Sequence, residues 1–492
     1  MRIHNPTITG SLTVSGSNLN IDSSGNIVSL GSVTATEYIV SSSVTNISIA
    51  TNSGSVAFGD SGDDIHQFTG SLSISGSRIS FDDGKQNIAI GTNSIGASGF
   101  TGGQNIAVGE NAMLDANGSN TSYNIVIGYN AGKSFGANNV YNTILIGRQA
   151  GMNINNGDAS DTIAIGTNAG IDITSAQRSL LIGTEAGTNI TTGDYNTAIG
   201  YQAMHGDDSA ATTSTGNTAV GYEAGKYITT GAYNTILGYQ AGDAASIGNY
   251  HVLLGAFAGS GINSGDADGT VAIGYNAGAV LTSGIGSVAI GYEALKTATD
   301  NDYNTAVGNR ALYSISGSSG TEGEGNTAIG RYAGYSTTTG NSNIFVGNGA
   351  GYANTTGIYN NFIGTSAIGH QTLYGTNGKA NSAASNVAIG YQAAMRSDVG
   401  QGLVAVGKGA LRNVSDSGSY STAIGFDSGY YASGSNNTFV GAEAGKGGTT
   451  SAPFSSGTSN VGIGYYALRN FTTGYSNTVA GVNAGDAITT GY

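Results

Sequence analysis

The chain repeats itself. "YNTAIGYQAM" (Tyr195–Met204) returns as "YNTILGYQAG" (Tyr233–Gly242), "GTVAIGYNAG" (Gly269–Gly278), "GSVAIGYEAL" (Gly286–Leu295), "NVAIGYQAA" (Asn386–Ala394) and "NVGIGYYAL" (Asn460–Leu468). Aligned on the glycine that closes the apolar triplet, 22 units run from Gly91 through Gly109, Gly128 and Gly147 to Gly481, and ten of the 21 intervals are 17 residues. A fixed short period with insertions at one phase is the pattern of a solenoid, in which one small unit stacks on the next. That pattern overrides the several globular domains that 492 residues would otherwise suggest.

Composition narrows the unit to strands. Gly is abundant (83) and Pro nearly absent (2), but no glycine recurs at every third residue, which excludes collagen. Charged residues are 9% against 39% hydrophobic, the wrong balance for a disordered chain. Gly, Asn, Ser and Thr alternating with β-branched residues read as short strands joined by tight turns. With no cysteine there is no disulfide framework and no thiolate metal site. A net charge of −14 disfavours nucleic acid and anionic membrane surfaces as partners. No apolar run is long enough for a membrane-spanning helix, and "MRIHNPTITGSL" carries no secretory signal core.

Two regions are expected. Residues 1–84, with "ITGSLTVSGS" (Ile8–Ser17) echoed by "FTGSLSISGS" (Phe68–Ser77), read as a thin, β-rich attachment stem. Val56–Gly59 resembles a degenerate first copy of the array. Residues 85–492 read as an all-β, parallel β-solenoid (β-roll) of about 22 coils.

Each coil assigns its positions. Before the closing glycine, 21 of 22 copies carry Ile, Leu or Val, among them Ile90, Val108, Ile127, Ile165, Ile199, Leu237, Ile273, Ile290, Ile329, Ile389, Ile424 and Ile463. With the β-branched position two residues earlier they share one strand face, and this column is expected to be the core. The position between them is Ala in 12 copies: Ala89, Ala107, Ala164, Ala198, Ala219, Ala272, Ala289, Ala306, Ala328, Ala388, Ala405 and Ala423. Pointing the other way, it is expected to be a lipophilic outer row covered by sister chains in a homotrimer. Asn four residues before the glycine, in 14 copies, is expected to bond amide to amide along the stack.

The repeat "SVAIGYEAL" is similar to the Asn-Ser-Val-Ala-Ile-Gly repeats of trimeric autotransporter adhesin heads, which form a trimeric left-handed parallel β-roll. The longer "YNTAIGYQAG" form, with the "TGSLTVSGS" stem, resembles tail fibres and other virion proteins of tailed bacteriophages. The sequence carries neither the signal and membrane anchor of the adhesins nor the C-terminal chaperone of many phage fibres, and it stops at "DAITTGY" (Asp486–Tyr492), as a processed fibre would. The resemblance implies a virion fibre partnered by itself, by tail or baseplate proteins and by a host-surface glycan or protein receptor. The alternatives are a bacterial surface adhesin, a polysaccharide depolymerase and an ice-binding solenoid.

Chemistry is sparse. No catalytic, metal or cofactor residues are expected, and the chain is not read as an enzyme. "GYNAGKS" (Gly128–Ser134) is one residue short of a phosphate loop. The acidic turns Gly59–Asp64 and Ser264–Gly269 match no full calcium pattern, and His4, His66, His205, His251 and His370 are isolated. Glu185, Glu223, Glu293 and Glu443 read as a surface ladder rather than a glycosidase pair. Tyrosines just after the glycine (Tyr129, Tyr201, Tyr222, Tyr239, Tyr275, Tyr292, Tyr391, Tyr465) either stack on sugars or shield the coil edges. Receptor contacts are expected in the long insertions (His205–Gly216, Tyr313–Gly325, Gly369–Ser385, Lys446–Ser459), at Tyr374, Lys379 and Phe454.

Overall fold

The computed structural model describes residues 19–21 and 27–29, and residues 85–491 except 96–99, 117–120, 137–139, 156–158, 208–211, 245–247, 264–266, 317–321, 366–383, 397–399, 415–417 and 449–453. The chain divides into two units, Met1–Ile79 and Ser80–Tyr492. In the first, β1 (Leu19–Ile21) and β2 (Ile27–Ser29) pair antiparallel. The rest of the expected stem, including Val56–Gly59, Gly59–Asp64, His4 and His66, lies outside the described residues.

The second unit is a parallel β-solenoid with no α-helix among its described residues. It runs from β3 (Ile88–Ile90) to β24 (Thr478–Ala480), one three-residue strand per coil. Each strand pairs in register with the next, so that Ile88 meets Ile106 and Val288 meets Thr305. The ladder is open, β3 and β24 each having one partner. Bonding continues around the coil: Gly109 N–H donates to Ile90 O, Asn111 N–H to Thr92 O and Gly132 N–H to Ala150 O. At about 4.8 Å per coil the stack is roughly 100 Å long.

The two expected faces are exchanged. The middle residue of each strand points inward: Ala107, Ala164, Ala198, Ala219, Ala272, Ala306, Ala328, Ala388, Ala405 and Ala423 are wholly buried, as are Leu145 and Phe345 at the same position, and Ala289 is 1% exposed. In the two end coils it is less covered, exposed at Ala89 and half-buried at Val479. The column expected to be core instead faces out, with Ile90, Ile127, Leu237, Ile329, Ile389, Ile424 and Ile463 37–50% exposed and Val108, Ile165, Ile199, Ile273 and Ile290 half-buried. The reason is volume. A coil of about 17 residues encloses a narrow lumen, and two β-branched residues per rung do not fit where one small one does.

The lumen is filled by exchange of bulk between two positions six residues apart. Where the strand centre is large, its partner is glycine: Leu145 with Gly151, Leu253 with Gly259, Phe345 with Gly351, Phe439 with Gly445. A Cβ on Gly351 would lie 2.2 Å from the Phe345 ring. In several coils with a small centre the partner is large: Ala198 with Met204, Ala289 with Leu295, Ala306 with Leu312, Gly462 with Leu468, all with the large residue wholly buried. Where both are small, as at Ala164 with Gly170 and Ala219 with Gly225, bulk comes from neighbouring positions, Ile173 and Leu181 beside Gly170 and Ile228 and Ile236 beside Gly225. Ala289→Leu is therefore expected to cost about 1–3 kcal/mol by overpacking. Adding Leu295→Gly should restore most of it, because the backbone at Leu295 is already left-handed, at φ +48°. Chemical denaturation reads the outcome, and a double variant weaker than the single one would contradict the pairing.

The asparagines bond amide to amide as expected. Asn105 Nδ2 donates to Asn87 Oδ1 at 3.1 Å, Asn124 to Asn105 at 3.0 Å and Asn343 to Asn326 at 3.0 Å. The same Oδ1 also accepts the next coil's backbone N–H, as Asn326 does from Asn343 at 3.1 Å. These buried amides satisfy the polar backbone where each chain segment turns into its strand.

Candidate functional site

Three surface ranks are built by the register. The first is the outward apolar strip. From β3 to β24 the two outer strand positions are Ile, Leu, Val, Thr or Ala, with Asn361 the one amide and no charge anywhere. Repetition of an uncharged, half-exposed pair in every coil makes one continuous seam.

The second rank follows the closing glycine. Tyr201, Tyr222 and Tyr239 stack with centroids 5.2 and 5.1 Å apart and planes within 19°. Tyr275 and Tyr292 stack at 5.5 Å, and Phe257 bridges edge-on between Tyr239 and Tyr275. Rings that cover each other's faces leave mainly edges to a sugar, so in these coils the rank shields the coil edges.

The third rank, two residues after the glycine, is mostly polar, with aromatic rings at Phe257, Tyr332 and Tyr466. Glu185 accepts from Gln202 at 2.7 Å, and Glu223 accepts from Gln240 at 2.6 Å and from Lys226 at 2.9 Å. Glu293 pairs with Lys296 at 2.6 Å and Arg310 at 2.7 Å, and Glu443 with Lys446 and Arg469 at 3.0 and 2.9 Å. Partial burial pushes the Glu223, Glu293 and Glu443 carboxyls up, but these bonds outweigh it and hold all three below the usual range. A carboxyl held ionised is a poor proton donor, which disfavours these three as a glycosidase acid. Asp427, two residues after Gly425, goes the other way, its carboxyl raised chiefly by burial. Coil-to-coil bonding is what the rank does.

A shallow groove of about 450 Å³ lies beside this rank, lined by Asn168, Glu185, Thr188, Gln202, His205, Gly206, Asp207, Lys226 and Tyr227. Its walls bond among themselves, Thr188 Oγ1 donating to Glu185 O at 2.9 Å.

The remaining sequence candidates fall as follows. Tyr374, Lys379 and His370 lie outside the described residues. Phe454 is half-buried and stacks on Tyr431, a residue outside its insertion, at 5.9 Å. In Gly128–Ser134, the amides of Asn130, Gly132 and Ser134 donate to Glu110, Ala150 and Met152 carbonyls and are spent on the stack. Asp268 accepts the Asn249 N–H at 2.6 Å. Among the described residues no three His, Cys, Asp or Glu side chains gather as a metal site. No described helix is long and apolar enough to cross a membrane.

His251 was missed as a special position. It stands in the asparagine column, wholly buried, with neither ring nitrogen bonded. The signal was present in the sequence as the one histidine at that phase. No family model, no curated protein and no solved structure matches this chain.

Proposed function

We propose that this chain is a structural fibre protein of a phage virion, a tail fibre that adheres to the host cell through a homotrimeric rod. The observation that carries the reading is the uncharged outer seam. A strip of about 100 Å by 10 Å is on the order of 1,000 Å² per subunit, above the ~800 Å² per partner that stable interfaces bury. Its repeat of one rung matches only a surface with the same repeat, which another copy of the chain provides. The sister-chain contact passes from the alanine column, which is internal, to the Ile, Leu and Val column. Adhesion is then mechanical and multivalent, with three identical faces each making weak contacts. The role is non-enzymatic, with no cofactor, and the location is the virion or another extracellular surface.

Leu237→Glu with Leu254→Glu tests it. Both positions are about two-fifths exposed in the single chain, at 44% and 40%, so the coil itself tolerates them. In a closed seam each unpaired carboxylate costs several kcal/mol. Sedimentation equilibrium should give three times the 49.0 kDa chain mass for the parent and one chain mass for the variant. A monomeric parent, or an undisturbed variant, would contradict the seam.

A further inference from the structure

Five residues before the closing glycine, the backbone is left-handed in every coil, from Gln86 at φ +63° to Ser476 at φ +59°. Gly, Asn, Asp or Ser fills many of these sites, as that geometry favours. Seven copies instead place tyrosine there, at φ +54° to +64°, with 54–64% of the residue exposed. A bulky side chain is thus held against backbone preference, where burial returns little.

Five of the seven form a series. They precede β9 (Thr197–Ile199), β12 (Val252–Leu254), β15 (Thr305–Val307), β18 (Asn361–Ile363) and β21 (Thr422–Ile424), one at every third strand: Tyr195, Tyr250, Tyr303, Tyr359 and Tyr420. Three rungs place them roughly 14 Å apart, too far to shield one another. Two of the five have a partner on the ring: Tyr233 stacks on Tyr250 at 5.7 Å, and Arg178 lies over Tyr195 at 5.5 Å and donates to its hydroxyl at 2.7 Å. Tyr303, Tyr359 and Tyr420 are 60–64% exposed, and Tyr303 and Tyr420 each lie against the glycine of the preceding coil, where a Cβ on Gly286 or Gly402 would sit 3.5 or 2.8 Å from the ring. The stacked rank after the closing glycine has no such spacing and no such openness.

We propose that this row binds an extended, neutral polysaccharide laid along the solenoid, with a pyranose seated at each of the open platforms Tyr303, Tyr359 and Tyr420. Aromatic rings receive the C–H face of a sugar while the phenol hydroxyl bonds its rim. Platforms at fixed intervals favour a linear polymer, whose successive contacts become intramolecular once the first is made. With 30 acidic against 16 basic residues, the surface disfavours anionic glycans. The inference deepens the adhesion reading by naming a ligand class, and sugar binding and self-association are measured separately.

Saturation-transfer NMR and calorimetry on the full chain should use cellohexaose, mannohexaose, xylohexaose and chitohexaose, their disaccharides, and hexagalacturonate. At least one neutral hexasaccharide should bind, its disaccharide about tenfold or more weaker, and hexagalacturonate should not. Tyr303→Asn/Tyr359→Asn/Tyr420→Asn should lose that binding while melting no lower than the parent and sedimenting identically. No binding by any neutral hexasaccharide, preference for hexagalacturonate, or unchanged binding by the triple variant overturns the proposal. So does a triple variant with lower melting temperature or altered association, since the tyrosines would then serve packing or the seam.

Discussion

Gly238→Ala is expected to split the solenoid locally. The closing glycines stack directly on one another, each at a φ that L-residues rarely adopt, and Gly238 is at +143°. A Cβ there would stand 2.5 Å from Gly255 O and 2.7 Å from its carbonyl carbon, both backbone atoms of the next coil that cannot rotate away. Backbone strain and overpacking together put the cost on the order of 4 kcal/mol. Because each coil contacts only its neighbours, the damage should stay local. Hydrogen exchange should accelerate in the coils around Gly238 and Gly255 and remain slow elsewhere. Gly269→Ala is the control, also at positive φ (+76°) but with nothing within 4 Å, so its cost should be about 1 kcal/mol. Equal effects at the two sites would show that the stacking contact is not what requires glycine.

His251→Asn should stabilise the protein, and more so in mild acid. Burial is the main reason the His251 imidazole titrates at about 4 rather than 6.5, with Asp268 pulling weakly the other way. Above pH 6.5 both folded and unfolded chains hold it neutral. As pH falls through 6.5 the unfolded chain takes up a proton that the folded one refuses, so stability is lost down to about pH 4, where the folded form protonates too. The full swing is roughly 3 kcal/mol. Asparagine removes the swing and supplies an Oδ1 of the kind that Asn234 already offers to the His251 N–H at 2.8 Å. Melting temperatures of parent and variant should diverge between pH 7 and pH 4.5, with the variant always higher. Parallel curves would mean that His251 is not the acid-sensitive group.

The period, the three-residue strand and the asparagine ladder were legible because each depends on local pattern alone. Which strand face is inside was not. Two of three strand residues are β-branched, and counting hydrophobicity favours the face that holds two. What decides is the width of the lumen, a property of the closed coil. A partial clue lay in the chain: Phe345 stands with Gly351 and Ala289 with Leu295, an exchange of bulk between residues sharing a confined space, although other coils, such as that of Ala164 and Gly170, carry two small residues there and do not show it. The platform tyrosines were obscured for a related reason. Their left-handed backbone shows in the coil, whereas in the sequence they are merely tyrosines before a small or polar residue, Asn196, His251, Asn304, Asn360 and Ser421.

The alanine column inside and the isoleucine column covered by a twin can be separated with one thiol. The chain has no cysteine, so Ala289→Cys and Ile290→Cys each introduce a single reporter on opposite faces of one strand. Maleimide labelling should find the thiol at 289 inert both in the assembled parent background and in the Leu237→Glu/Leu254→Glu background. The thiol at 290 should be inert when assembled and reactive once the chains separate. Rapid labelling at 289, or free labelling at 290 in the intact assembly, would contradict the account.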